Sequence, residues 1–128
     1  MILLLDTHTL LWFLRDDPSL SATARALILN PANRKFVSVA SCWEIAIKAG
    51  QKRLGLTEPC QALLSRELPR NRFDLLQIRL DHATFVETLP AHHKDPFDRL
   101  LVAQSLIEGM PLVSIDARLD AYGVTRLW

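Results

Sequence analysis

Four carboxylates stand at positions suited to chemistry in this 128-residue chain. Asp6 directly follows the apolar run MILLL, and Asp116 directly follows PLVSI. Glu44 falls in the first turn of a helix predicted over SCWEIAIKAG, just after the strand-like FVSVA, and Asp98 in the first turn of one predicted over DPFDRLLVAQSLIEG. Four acids at one edge of a fold repel each other unless a cation holds them. Divalent magnesium or manganese takes oxygen ligands and keeps several waters. Such a site activates water and stabilises a phosphoryl transition state, and a two-metal version sets its ions roughly 3.5–4 Å apart. The pattern therefore points to metal-dependent hydrolysis of a phosphodiester or phosphate.

Each acid also has an ordinary structural role open to it. Asp6 can cap a helix, Glu44 can complete a capping box with Ser41, and Asp116 can serve the turn in SIDARLDAYG. Asp98 can answer the helix dipole. Asp95 precedes Pro96, which pushes it out of helical backbone and makes it the cap, leaving the Asp98 carboxylate free. Thr7 and Ser114 offer hydroxyls to a carboxylate or a water, and Arg99 a guanidinium to a carboxylate or phosphate; their plain roles are capping, a satisfied hydroxyl and surface charge. His93 could move a proton, although its sequence position reads as an exposed loop. Trp12 and Trp43 read as core or interface rather than base-stacking residues. Lys48, Lys52, Arg53, Arg66, Arg70 and Arg72 outnumber the acids around them. They are candidates for tracking an RNA backbone, with an ordinary solvated helix pair as the alternative.

These residues need elements to place them. MILLL, FVSVA (36–40), DLLQI (74–78), PLVSI (111–115) and VTRLW read as strands. Helices are expected over DTHTLLWFLRD, SATARALILN, SCWEIAIKAG with Gly50 as its end, a segment opened by Thr57-Glu58-Pro59 and running to Arg70, DHATFVETLP, and DPFDRLLVAQSLIEG with Gly109 as its end. Alternation of short apolar strands with helices predicts the α/β class, a mostly parallel central sheet of about five strands with helices on both faces. In such sheets, sites form beyond the carboxyl ends of the strands, where Asp6 and Asp116 fall.

Composition narrows the classes. The length suits one domain, and nearly half the residues are apolar, as in a globular protein. A net charge of +1 gives no global pull on nucleic acid, so any such contact must be local. The apolar start is broken by Asp6 and lacks a basic leader or cleavage site, and no run reaches the length of a membrane span. Cys42 and Cys60 form no CxxC pair and read as reduced thiols of a cytoplasmic protein. The four histidines, at 8, 82, 92 and 93, lack zinc-site spacing with them.

DTHTLLW (6–12), SVASCWEIAIK (38–48), HHKDPFDRLLVAQ (92–104) and LVSID (112–116), with the closing YGVTRLW, together resemble a PIN domain, and specifically the VapC-like toxins of bacterial type II toxin–antitoxin pairs. The resemblance spans residues 1–128 as one domain. It carries the family's metal ligands onto Asp6, Glu44, Asp98 and Asp116, the acids already singled out. It implies an Mg2+- or Mn2+-dependent endoribonuclease, a homodimer and a cognate antitoxin. A binding module of the same fold that holds RNA or antitoxin without cutting is the alternative, as is a metal-dependent phosphohydrolase. A DxDxT phosphohydrolase is disfavoured because His8 stands where its second Asp belongs. A receiver domain is disfavoured by the lack of an acid doublet after the first strand and of a lysine after the last.

Overall fold

The structure, a computed structural model, describes residues 1–128. Its centre is β1 (Ile2–Leu5), which pairs in parallel with β2 (Arg34–Ser38) on one side and β4 (Leu112–Val113) on the other. β3 (Phe73–Leu76) extends the sheet beyond β2, and β5 (Arg126–Leu127) extends it beyond β4. The order is β3-β2-β1-β4-β5, and every pairing is parallel.

A parallel sheet is covered on both faces, and β1 shows why its sequence is apolar at every position. Leu3 and Leu5 point to one face and Leu4 to the other, all three without exposed surface. Leu3 and Leu5 join a core with Leu10 and Leu11 of α1 (Thr7–Leu14), Ala24 and Ile28 of α2 (Ala22–Leu29), Ile45 of α3 (Val39–Gly50), and Leu64 and Leu68 of α4 (Cys60–Arg70). Leu4 joins a second core with Leu101 and Val102 of α6 (Pro96–Glu108) and Leu119 of a 3-10 turn at Ala117–Tyr122. α5 (Leu80–Phe85) packs on α6.

The expected class and element order match this architecture, and the boundaries differ in instructive ways. FVSVA does not run as a strand to residue 40. Ser38 caps α3, its hydroxyl accepting the Ala40 N–H at 3.0 Å, so Val39 and Ala40 are helical despite their strand-like setting. Ser41 therefore lies inside the helix, and Glu44 in its second turn. The Ser41–Glu44 capping box does not form. Gly50 is the last helical residue, and the left-handed residue beyond it is Lys52, at φ 57°. At α6 the expected glycine stop does occur: Gly109 takes φ 67°, and the Met110 N–H reaches the Ser105 carbonyl at 3.1 Å. DHATFVETLP splits into α5 and a 3-10 turn at Val86–Thr88.

From β1 the chain winds outward through β2 and β3, then crosses to the other side of β1 for β4 and β5. The sheet's switch point thus lies between β1 and β4, the crevice where α/β sheets bind ligands. No helix is long and apolar enough to cross a membrane.

Candidate active site

Asp6 occupies the crevice because β1 ends one residue before it and α1 begins one residue after. It is 5% exposed. Its Oδ1 accepts the Thr9 N–H at 2.8 Å, capping α1, while its other oxygen has no protein donor. Thr9 in turn donates to the Val113 carbonyl at 2.9 Å, tying the start of α1 to β4. The capping role is real, yet it uses one of two carboxylate oxygens.

Glu44 is buried on α3. Its Oε1 accepts the Thr7 hydroxyl at 2.7 Å, and its Oε2 the Lys48 ammonium one turn later at 2.6 Å. Thr7 also stands 3.0 Å from the Ser41 hydroxyl. Ser114, fully buried, accepts the Asp116 N–H at 3.1 Å and so shapes the turn that carries Asp116.

The paired aspartates of α6 divide as their spacing predicts. Asp95 is the N-cap, its Oδ1 accepting the N–H groups of Phe97 at 2.8 Å and Asp98 at 3.1 Å, with Pro96 at the first helical position. Asp95→Ala is expected to cost about 1 kcal/mol of stability, read by urea denaturation, while the melting-temperature response to Mn2+ persists. The Asp98 carboxylate faces the crevice, and its nearest protein donor is His93 Nε2 at 3.3 Å. Burial, then the charges of Asp95, Asp6 and Glu44, push its pKa up to about 7 against a smaller opposing pull from His93.

Asp116 has the opposite environment. The Arg118 guanidinium meets both its oxygens, at 2.9 and 2.8 Å, and His93 Nε2 donates to Oδ2 at 2.9 Å. Arg118 first, with His93 and the Arg118 N–H, holds this carboxyl far below the usual carboxylate range despite some burial.

His93 is not an exposed loop residue. It is 8% exposed and bridges Asp98 and Asp116. The Asp95 N–H donates to its Nδ1 at 3.1 Å, which leaves the ring hydrogen on Nε2, aimed at the two carboxylates. The ligand atoms of His93, Asp98 and Asp116 lie within 4.8 Å of one another. With its hydrogen on Nε2, His93 orients the acids as a donor rather than adding a lone pair. Arg99 touches no carboxylate. Its guanidinium donates to the carbonyls of Val86, Leu89, Pro90 and His93 and to the Tyr122 hydroxyl, binding the loop that carries His93 to α6. The Tyr122 oxygen also accepts the His93 N–H at 2.9 Å.

The basic candidates are not gathered around these acids. Lys48 is there, but committed to Glu44. Arg66 is held by Glu58 and Glu67, and Arg70 lies 3.5 Å from Glu67. Arg70 and Arg72 immediately precede β3, and Lys52 and Arg53 follow α3, which runs back from the carboxyl end of β2. These four therefore flank the amino ends of the strands, opposite the acids.

The acids suit a hard divalent cation. They offer only oxygen, Asp6 keeps an oxygen with no protein donor, and Asp98 is held as a half-buried carboxylate that its neighbours disfavour until positive charge arrives. Asp6, Glu44, Asp98 and Asp116 are the candidates to hold it, and of these Asp98 and Asp116 have ligand atoms within 4.8 Å of one another.

A family model described as PIN domain matches residues 3–124. No curated protein matches the sequence. Among solved structures, VapBC2 from Rickettsia felis, bound to a DNA fragment from their promoter, superposes with a TM-score of 0.74 at 14% identity, over 99% of this chain and 98% of that one. FitAcB from Neisseria gonorrhoeae gives 0.68 at 18%, over 100% and 97%. A toxin–antitoxin complex from Klebsiella pneumoniae gives 0.65 at 16%, over 98% and 96%. At these identities the superpositions establish a shared fold, and with the match over nearly the whole sequence they place this chain in the PIN-domain family.

Proposed function

We propose that residues 1–128 form one PIN domain that acts as a metal-dependent endoribonuclease, the toxin of a type II toxin–antitoxin pair in the cytoplasm. The observation that carries this reading is that Asp98 and Asp116 stand with His93 close enough to share one ion, while the charges of Asp6 and Glu44 also act on Asp98 at the carboxyl edge of the sheet. A bound Mg2+ or Mn2+ supplies charge to activate water and to offset the negative charge that develops on a phosphodiester in flight. The protein's own groups do the positioning. Thr7 and Lys48 fix Glu44, the α1 cap fixes Asp6, and His93 keeps Asp98 and Asp116 side by side.

The antitoxin partner is supported by the resemblance to toxin–antitoxin assemblies. Self-association is supported by an apolar patch on α3. Trp12 and Phe13 pack against the core, whereas Trp43 on α3 is 58% exposed beside exposed Ile47, its ring edge-on to Phe97 at 5.2 Å.

The test is end-labelled RNA incubated with the protein in Mn2+ or in EDTA. Cleavage in Mn2+, none in EDTA, and loss of most cleavage in Asp6→Asn are expected, because a neutral amide is a poorer ligand for a hard cation. Metal-independent cleavage that survives Asp6→Asn rules the reading out. RNA retention without cleavage assigns the chain to the non-catalytic binding module instead.

A further inference from the structure

Asp116 is saturated with donors. Oδ1 accepts the Arg118 backbone N–H at 3.0 Å and Arg118 Nε at 2.9 Å, and Oδ2 accepts Arg118 Nη2 at 2.8 Å and His93 Nε2 at 2.9 Å. A carboxylate has about four lone-pair positions, and here all are taken. A metal cannot use Asp116 until a donor leaves. Two of the four are fixed: the backbone N–H belongs to the cap of the 3-10 turn, and His93 is buried with its ring held by the Asp95 N–H. The guanidinium is the movable pair. Its side chain is 70% exposed, and Asp116 is its sole hydrogen-bond partner. Asp98 and Asp95 attract it as well.

We infer that Arg118 is a latch on the metal site: its guanidinium stands on Asp116 where a divalent cation binds, metal entry displaces it, and the released fork then engages a phosphate of the RNA. The inference rests on the metal-nuclease reading. It draws on two properties of arginine. The planar fork satisfies a carboxylate or a phosphate with the same pair of parallel N–H bonds. An exposed ion pair is also weak enough to be exchanged. Arg118 thus compensates Asp116 before the metal arrives and the substrate's charge afterwards.

Mn2+ titration by calorimetry on the parent, Arg118→Gln and Arg118→Lys separates the possibilities, with Asp116→Asn as the control for site identity. Arg118→Gln is expected to bind Mn2+ roughly fivefold tighter than the parent, the scale of one exposed ion pair removed from competition, and Arg118→Lys to fall between them. At saturating Mn2+, Arg118→Gln is expected to raise the KM for RNA several-fold with kcat little changed. Mn2+ affinity in Arg118→Gln equal to or weaker than the parent overturns the latch while leaving the metal site standing. Tighter Mn2+ binding with an unchanged KM overturns the transfer to phosphate. If no Mn2+ binds to any of the proteins, the metal-nuclease reading and the latch fail together.

Discussion

Asp98→Asn is expected to melt higher than the parent in EDTA at pH 8, and to lose both the Mn2+-induced rise in melting temperature and RNA cleavage. The reason is the cost of an ionised carboxylate among like charges. In the fold the Asp98 carboxyl titrates at about 7 rather than the ordinary 3.8. Below about pH 4 it is neutral in both folded and unfolded chains and affects stability little. As pH rises from there towards 7, the unfolded chain releases its proton first, and the fold loses stability relative to it. Above 7 the penalty is complete. One pKa unit is worth about 1.4 kcal/mol. The side chain is 24% exposed, so discounting for solvent leaves a gain of roughly 1–3 kcal/mol for Asn at pH 8 and almost none near pH 4. At the proposed metal site protons and metal would compete for the same oxygens, so stabilisation of the parent by Mn2+ is expected to grow from pH 5 to 8. Loss of an outer partner of a metal ligand costs 10–100-fold in activity or affinity; loss of the ligand itself is expected to exceed about 100-fold. Thermal melts at pH 4.5 and 8, with EDTA and then Mn2+, provide the measurement. A variant that melts below the parent at pH 8 refutes the account.

Arg99 is the residue whose loss is expected to damage the scaffold most without touching a carboxylate. Its two terminal nitrogens hold four backbone carbonyls and the Tyr122 hydroxyl, at 2.8 to 3.4 Å. Each buried acceptor left without a donor costs about 1–3 kcal/mol. Some of these carbonyls will recover a water, so Arg99→Ala is expected to lose about 3 kcal/mol in all. Lysine cannot replace the fork: one ammonium with three donors does not reach carbonyls spread from Val86 to His93. Arg99→Lys is therefore expected to recover less than half of the loss. Urea denaturation gives the stabilities, and hydrogen exchange across residues 86–95 shows whether the damage is local. An alanine variant within about 1 kcal/mol of the parent would show that water substitutes fully for the guanidinium. Because the same loop carries His93, the variant is also expected to loosen the bridge between Asp98 and Asp116.

Much of the candidate site's placement was legible in the sequence because its residues sit next to strong local signals. A lone acid after an apolar strand marked Asp6 and Asp116, and the backbone constraint before Pro96 separated Asp95 from Asp98. Glu44 was found beside a capping box that does not exist: Ser38, hidden inside the β-branched FVSVA, caps the helix three residues earlier than Ser41 would. His93 was misread because its partner Asp116 lies 23 residues away, and its local bond to the Asp95 N–H leaves no periodic trace. The basic residues between 48 and 72 are close in sequence, but which end of the sheet they flank follows only from the direction of α3 and α4. The phase of α1 turns Trp12 and Phe13 inward while that of α3 leaves Trp43 out, a distinction composition does not carry.

The central placement of β1 also governs when the site comes into being. β1 is made early, yet one of its edges stays open until β4 arrives: Leu4 N–H bonds the Pro111 carbonyl, Asp6 N–H the Val113 carbonyl, and the Thr9 hydroxyl reaches Val113 across 104 residues of chain. Contacts so distant along the chain make folding slow, on the scale of milliseconds to seconds. At a synthesis rate of about 5–20 residues per second, Asp6 leaves the ribosome many seconds before Asp116 exists. Until the segment around Val113 folds back beside β1, a growing chain has three of the four acids and an unpaired strand edge, so the acid cluster is completed in the last step of assembly and not gradually along the way.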